Sequence, residues 1–150
     1  MAIVIRPATP ADIQVLIPLI AEHAAYEADH FSQNTEFAER LEEAAFGAQP
    51  RVQLWLALDA EYLLGYAATT REFSTWSAAE YLHLDCLYLR ETRRGEGIGR
   101  QLINATVDYA RQRGLKEMQW QTPEWNHRAI EFYRSLGAQA LEKQRFYLEV

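Results

Sequence analysis

Between a nine-residue run, Tyr81-Leu82-His83-Leu84-Asp85-Cys86-Leu87-Tyr88-Leu89, and the most regular helical stretch of the chain lies Arg93-Arg94-Gly95-Glu96-Gly97-Ile98-Gly99. The run holds few turn formers and reads as a central strand. The stretch Ile98 to Arg113 carries Leu102, Ala105 and Tyr109 on one stripe, with Gly114 at its end as a C-terminal cap. A strand that turns through glycines directly into a helix demands an α/β arrangement. Glycine allows a tight turn and close approach of a ligand to the backbone. The start of the helix presents unpaired N–H groups and the positive end of its dipole, which together suit phosphate oxygens. With two arginines beside it, the segment Arg94, Gly95, Glu96, Gly97, Ile98, Gly99 and Arg100 is a candidate pyrophosphate cradle. The alternative is a tight turn that holds no ligand.

Two common phosphate loops are excluded. The Walker pattern needs a Gly-Lys pair, which the chain lacks. The dinucleotide fingerprint G-x-G-x-x-G fails because Gly99 arrives one residue early.

The rest of the chain supplies the partners of this unit. Ile3 to Arg6 reads as an edge strand stopped by Pro7. Thr9-Pro10-Ala11-Asp12 is a helix start, followed by Ile13, Leu16, Ile17, Ile20 and Ala24 at helical spacing. Pro18 predicts a kink or a break within that helix. Thr35 to Phe46 reads as a second helix. Val52 to Ala57 and Tyr62 to Thr69 form a hairpin, and a polar stretch from Arg71 to Glu80 crosses to the central strand. After the long helix come a strand at Glu117 to Gln121, a helix at Ala129 to Leu136, and a last strand at Arg145 to Val150. The order β-α-α-β-β-β-α-β-α-β predicts one domain over 1–150, a mixed α/β sheet without repeats or linkers.

Composition narrows the chemistry. At 150 residues, 49% apolar and 24% charged, the chain is an ordinary globular sequence. No apolar run is long enough to span a bilayer, and the N-terminal residues do not have the order of a signal peptide. The formal net charge of −6 argues against a nucleic-acid partner and suits a cationic small substrate, although acidity also serves solubility alone. One cysteine excludes an internal disulfide, and no Cys/His cluster has metal-ligand spacing, so a cytoplasmic, metal-free protein is expected.

The pattern R-x-x-G-x-G, here Arg94, Gly97 and Gly99, resembles the acetyl-CoA loop of the GNAT family of N-acetyltransferases. One helix and one strand further on, Asn126-His127-Arg128-Ala129-Ile130-Glu131-Phe132-Tyr133-Arg134-Ser135-Leu136-Gly137 resembles the family's second hallmark, N-x-x-A-x-x-F-Y-x-x-x-G. The resemblance implies the GNAT fold and acetyl-CoA as donor. It implies that Asn126 contacts the coenzyme, Ala129 packs close to it and Tyr133 faces the thioester sulfur. The plainer alternative for Phe132-Tyr133 is an aromatic pair on a core helix face.

Nearly the whole chain resembles the diamine and polyamine acetyltransferases within that family. Ile5-Arg6-Pro7-Ala8-Thr9, Ala25-Tyr26-Glu27, Phe73-Ser74-Thr75-Trp76 and Leu84-Asp85-Cys86-Leu87-Tyr88-Leu89 carry the likeness. It implies that Leu87, Tyr88 and Leu89 offer backbone groups to the pantetheine arm and the acetyl carbonyl. It implies an amine pocket lined by Tyr26, Glu27 and Asp85, and a homodimer. One departure stands out: the polyamine enzymes have Glu then Asp where this chain has Asp85 and Cys86. That removes one carboxylate from the recognition of long polycations.

Transfer from a thioester needs a neutral amine, a stabilised oxyanion and a proton for the leaving thiolate. Tyr133 is the candidate acid and Asp85 the candidate base, with Glu27 second. His83 is a candidate base, a substrate-pocket residue or a hydrogen-bonded structural histidine. Trp76 is the tryptophan best placed for substrate. Cys86 reads either as a nucleophile for a Ping-Pong route or as a small buried hydrophobe. His127 is expected to be exposed, and His23 and His30 carry no signal. Acceptors other than a diamine, namely an amino acid, an antibiotic or a protein amine, remain open, as does an acyl-CoA-binding module without catalysis.

Overall fold

The backbone ladder begins where Ile3–Pro7 (β1) lies antiparallel to Gln53–Asp59 (β2), with Ile3 opposite Asp59 and Pro7 opposite Trp55. The computed structural model describes residues 2–29, 31–32 and 34–150. β2 turns through Ala60 and Glu61 into Tyr62–Ser74 (β3), and β3 pairs antiparallel with Ala79–Leu89 (β4). The last strand, Met118–Gln119 (β5), runs parallel to β4 and meets it only at Leu82 and His83. Strand order in the sheet follows chain order, β1-β2-β3-β4-β5.

The stretch Arg71 to Glu80 is not a crossing. Arg71, Glu72, Phe73 and Ser74 extend β3, and Ser74 stands opposite Ala79 across a four-residue turn. Here the ribbon is solvated, so its side chains are polar, while the ladder still satisfies the backbone. A cross-strand pair, Arg71 to Glu80 at 3.1 Å, ties it together. Polarity reported exposure, not the absence of a strand.

Both sheet faces are covered, and the alternation along β2 shows how. Leu54, Leu56 and Leu58 pack with Tyr66, Ala68 and Tyr88 against Ile13–Tyr26 (α1) and Phe37–Phe46 (α2). Trp55 and Ala57 pack with Leu64, Ala67 and Leu84 against Ile98–Gln112 (α3), joined by Phe132 and Leu136 at His127–Ser135 (α4). A sheet between two helical layers is the α/β architecture expected.

Pro18 does not break α1, which is continuous across it. Its ring lies on the exposed side, where water satisfies the carbonyl that loses its partner. The start of α1 is braced instead. Asp12 accepts from the Thr9 backbone N–H at 2.7 Å and holds Arg6 through two contacts, at 2.8 and 2.9 Å.

The expected last strand at Arg145 to Val150 is absent. Residues 138–150 have no strand partner among the described residues, and Phe146, Tyr147 and Leu148 are each more than 80% exposed. Strand-like composition becomes a strand only when a ladder is available.

Candidate active site

β4 ends at Leu89, a short 3-10 turn covers Glu91–Arg93, and the glycine loop follows. Gly95 and Gly97 have φ of +85° and +81°, and an added Cβ at either would point into open space. Both need the left-handed backbone that side chains resist. Gly97 is the N-cap of α3 and brings no side chain to its first N–H groups. An uncapped helix start behind two left-handed glycines is the donor set a pyrophosphate requires. Ile98 turns its side chain into the core and leaves only its main chain at the loop.

Other loop residues have different work. An added Cβ on Gly99 would lie 3.4 Å from the Phe132 ring, so this glycine lets α4 approach α3. Arg93 is drawn to Glu96 at 2.8 Å and Asp59 at 3.2 Å, which braces the loop from behind. Arg100 reaches the Ser135 carbonyl at 3.5 Å. Arg94 donates from Nε to the Leu89 carbonyl at 2.9 Å, and its guanidinium lies 4.5 Å from the Tyr26 ring centre and 5.4 Å from that of Tyr88.

Next to this loop β4 has a free edge. β3 flanks β4 along its length, but β5 stops at the level of His83. Beyond it, Leu87, Tyr88 and Leu89 have no strand partner among the described residues on the side away from β3. Backbone groups that alternate along a strand are therefore available there to an extended ligand.

Asn126 is buried, and its side-chain oxygen accepts from the Ala129 N–H at 3.2 Å to cap α4. Tyr133, one helical turn further on, packs its ring against Trp120 and Phe132 with centroids 5.3 and 5.4 Å away. Burial pushes the Tyr133 phenol up to about 12, and the negative charge of Glu27 adds to the rise. Its hydroxyl makes no hydrogen bond among the described residues. A phenol in this state keeps its proton at neutral pH and has it free to give.

Asp85 sits where the β3–β4 register slips, since Ala68 faces Cys86 while Thr69 faces Leu84. A bulge of this kind re-aims a side chain. Its carboxylate is 59% exposed and lies 3.9 Å from the ring of His83. Cys86 donates weakly to it at 3.6 Å. Burial and the neighbouring Asp85 carboxylate push the Cys86 thiol up to about 12, which keeps it a thiol and poorly suited to attack.

The end of α1 closes the opposite side. Tyr26 touches Arg94, Tyr88 and Trp125, the last two with ring centroids 5.9 and 6.0 Å away. Glu27 is bound by His23. Trp76 does not join this group. It stands 97% exposed in the β3–β4 turn. Six residue steps of β4, from Ala79 to Asp85, separate that turn from Asp85, about 20 Å of strand.

A sequence profile described as the acetyltransferase (GNAT) family matches residues 20–138. The chain belongs to the GNAT acetyltransferase family. It is similar to the thialysine N-epsilon-acetyltransferase of Bos taurus, 30% identical over 151 residues that take in 93% of this chain and 85% of the relative. It is also similar to the D-amino-acid N-acetyltransferase HPA3 of Saccharomyces cerevisiae, 33% identical over 59% of this chain and 57% of that one. Among solved structures, an aminoglycoside acetyltransferase from an uncultured soil metagenomic sample, in complex with sisomicin, superposes with a TM-score of 0.82. That match covers 99% of this chain and 96% of the other at 23% identity, a likeness of fold.

Several residues of this GNAT enzyme's site escaped the sequence reading. His23 is the foremost. It is buried, with Nε2 on Glu27 at 2.5 Å, Nδ1 on the Tyr66 hydroxyl at 2.7 Å and its ring stacked on Tyr88 at 4.8 Å. The one signal for it was its i,i+4 spacing from Glu27. Glu22, which accepts from the Tyr88 hydroxyl at 2.9 Å and from Arg90 at 2.6 Å, fastens α1 to β4. Trp125 faces Tyr26. His127 is exposed as expected, and His30 lies outside the described residues. Among the described residues no three of His, Cys, Asp or Glu gather as metal ligands, and no helix is long and apolar enough to cross a membrane.

Proposed function

We propose that this GNAT N-acetyltransferase moves an acetyl group from acetyl-CoA to a primary amine of a small cationic substrate of diamine or polyamine type, by direct attack in a ternary complex. One observation carries the reading. Tyr133 keeps its proton, its hydroxyl is unengaged among the described residues and the Glu27 charge reaches it, while the free edge of β4 runs into the left-handed glycines.

The residues present fit the donor. Gly95, Gly97 and the first N–H groups of α3 would take its pyrophosphate. Leu87, Tyr88 and Leu89 would take its extended arm by main-chain contacts. When bound, acetyl-CoA supplies an activated thioester. Main-chain N–H groups of β4 are suited to hold negative charge on the carbonyl oxygen, and Tyr133 Oη is suited to give a proton to the departing sulfur. Asp85 and Glu27 supply anionic partners for the ammonium of the acceptor, and the Tyr26 ring forms the wall between acceptor and donor.

The substrates of similar enzymes favour a second acceptor class. These enzymes act on thialysine, D-amino acids and, in Arabidopsis thaliana, L-ornithine. An amino-acid amine therefore stands beside the diamine. Thiol release over a panel of diamines, polyamines, basic amino acids and aminoglycosides, with mass analysis of the products, separates them. Release with basic amino acids but not with diamines sinks the diamine reading. The exposed apolar segment 138–150 supports a homodimer, because so many apolar side chains seldom stay in water unpaired.

A further inference from the structure

His23 is buried in an α1 stripe otherwise made of Ile13, Leu16, Ile17 and Leu19. A polar ring in such a place costs free energy unless both nitrogens are paired. Thr69 leaves its buried hydroxyl without a partner among the described residues, and three other buried polar residues have structural explanations. Asp59 receives Arg93, Thr106 donates to the Ile103 carbonyl and Asn126 caps α4. His23 does none of these things. Both its nitrogens are engaged, one by Glu27 and the other by Tyr66, and its ring is clamped by Tyr88.

Glu27 is equally out of place by local rules. It sits at the C-cap of α1, the negative end of the helix dipole, where a carboxylate is disfavoured by roughly 0.3–1 kcal/mol. A residue set against its local preference marks a site that serves something other than the helix. The neighbouring Tyr26 packs against Tyr88, Trp125 and Arg94 at the glycine loop, and the negative charge of Glu27 is felt by Tyr66, Cys86 and Tyr133. Asp85, by contrast, is mostly exposed, and the His83 ring 3.9 Å away is beyond hydrogen-bond distance.

We propose that His23 is a positioning residue that holds Glu27 as the proton acceptor for the incoming ammonium. The inference rests on the acetyl-transfer reading above and goes past it by choosing between two carboxylates. Tyr66 lies deep in the core, which favours its protonated, donating form. In the proposed arrangement it donates to Nδ1, 2.7 Å away, and the Nε2 proton is aimed at Glu27 Oε2. Glu27 Oε1 is left to face the acceptor. There it takes one proton: an N–H bond of the ammonium breaks, an O–H bond forms on Glu27, and the electron pair stays on nitrogen as the nucleophile. Glu22 is occupied by Tyr88 and Arg90, and Arg94 covers Tyr26 and Tyr88, so neither competes for Glu27.

Three variants test this. His23→Gln keeps a donor near the Nε2 position, His23→Asn keeps only the partner of Tyr66, and His23→Phe keeps neither. With the best amine, kcat is expected to fall about 100-fold in His23→Phe and His23→Asn and about 10-fold or less in His23→Gln, the range of one general base. KM for acetyl-CoA should stay within about twofold, since the glycine loop is untouched. Equal losses in His23→Gln and His23→Asn overturn the inference. An independent measurement needs no turnover. The nitrogen spectrum of the folded wild type should show a hydrogen-bonded Nε2 proton on His23 whose shift moves when Glu27→Gln replaces the carboxylate by an amide and stays put in Asp85→Asn. A protonated Nδ1 in the wild type overturns the arrangement. No thiol release by the wild type with any amine overturns the parent reading instead, and the proton-acceptor role with it.

Discussion

The guanidinium of Arg94 stands 4.5 Å from the centre of the Tyr26 ring, joining the glycine loop to the end of α1. The two residues are 68 positions apart and belong to the two halves of the proposed site, one for the donor and one for the amine. A cation over an aromatic face is worth about 0.5–2 kcal/mol. That is enough to order a loop without locking it. Pyrophosphate is the stronger partner for Arg94, because its charge-assisted contacts are directional. Engagement of the donor is therefore coupled to the mouth of the amine pocket.

Tyr133→Phe tests the acid. Turnover should fall by about 100-fold or more, as for the loss of a general acid, while affinity for acetyl-CoA is unchanged. Because the phenol is pushed up to about 12, the wild-type kcat should not decline between pH 8 and 10 through loss of this proton. Unaltered turnover in Tyr133→Phe would remove the residue from the mechanism.

Gly97→Ala tests the loop. An alanine forced to φ of +81° is strained by about 1–2 kcal/mol. Calorimetry should show weaker coenzyme A binding by about tenfold, and the melting temperature should drop by a few degrees. Wild-type affinity in this variant would mean that the loop does not contact the pyrophosphate.

Asp85→Asn separates anchoring from proton transfer. With Glu27 as acceptor, Asp85 contributes charge to an exposed site, so KM for a diamine should rise about three- to tenfold with kcat nearly constant. The rise should shrink in high salt, which screens exposed charge. A collapse in kcat would make Asp85 the base.

Cys86 should behave as an inert thiol. With its thiol pushed up to about 12, alkylation at pH 8 should be much slower than for free cysteine, and Cys86→Ala should keep most of its turnover. Rapid labelling with loss of activity would restore the covalent route.

The Arg6–Asp12 pair predicts an acid-sensitive start to α1. The Arg6 hydrogen bonds hold the Asp12 carboxyl well below the usual carboxylate range. A depressed folded value contributes stability above the unfolded value of about 4, and loses it as pH falls through the folded one. Arg6 is partly solvated, so the contribution is about 1 kcal/mol at most. Asp12→Asn should melt a few degrees lower at pH 7, with the gap closing toward pH 2. A gap independent of pH would refute this origin.

Local signals were strongest where one segment met its own requirement. The glycine loop and the stripes of α1 and α3 could be read directly, because left-handed turns and helical periodicity are written in adjacent residues. Arg71 to Glu80 was misread as a crossing because solvated ladder and loop share the same polarity. Arg145 to Val150 was misread as a strand because composition does not say whether a partner edge exists.

The amino-acid order alone revealed a strand–glycine–helix unit, an α/β sheet and the spacing between Gly97 and Tyr133. Each depends on local backbone geometry or on the pitch of one element. Only the packed molecule shows that His23 meets Glu27, Tyr66 and Tyr88, that β5 stops short and frees the edge at Leu87, and that Trp76 stands apart. Those relations come from strand pairing and from packing α1 against the sheet. Residues far apart in sequence acquire a common electrostatic environment only once that packing has brought them together.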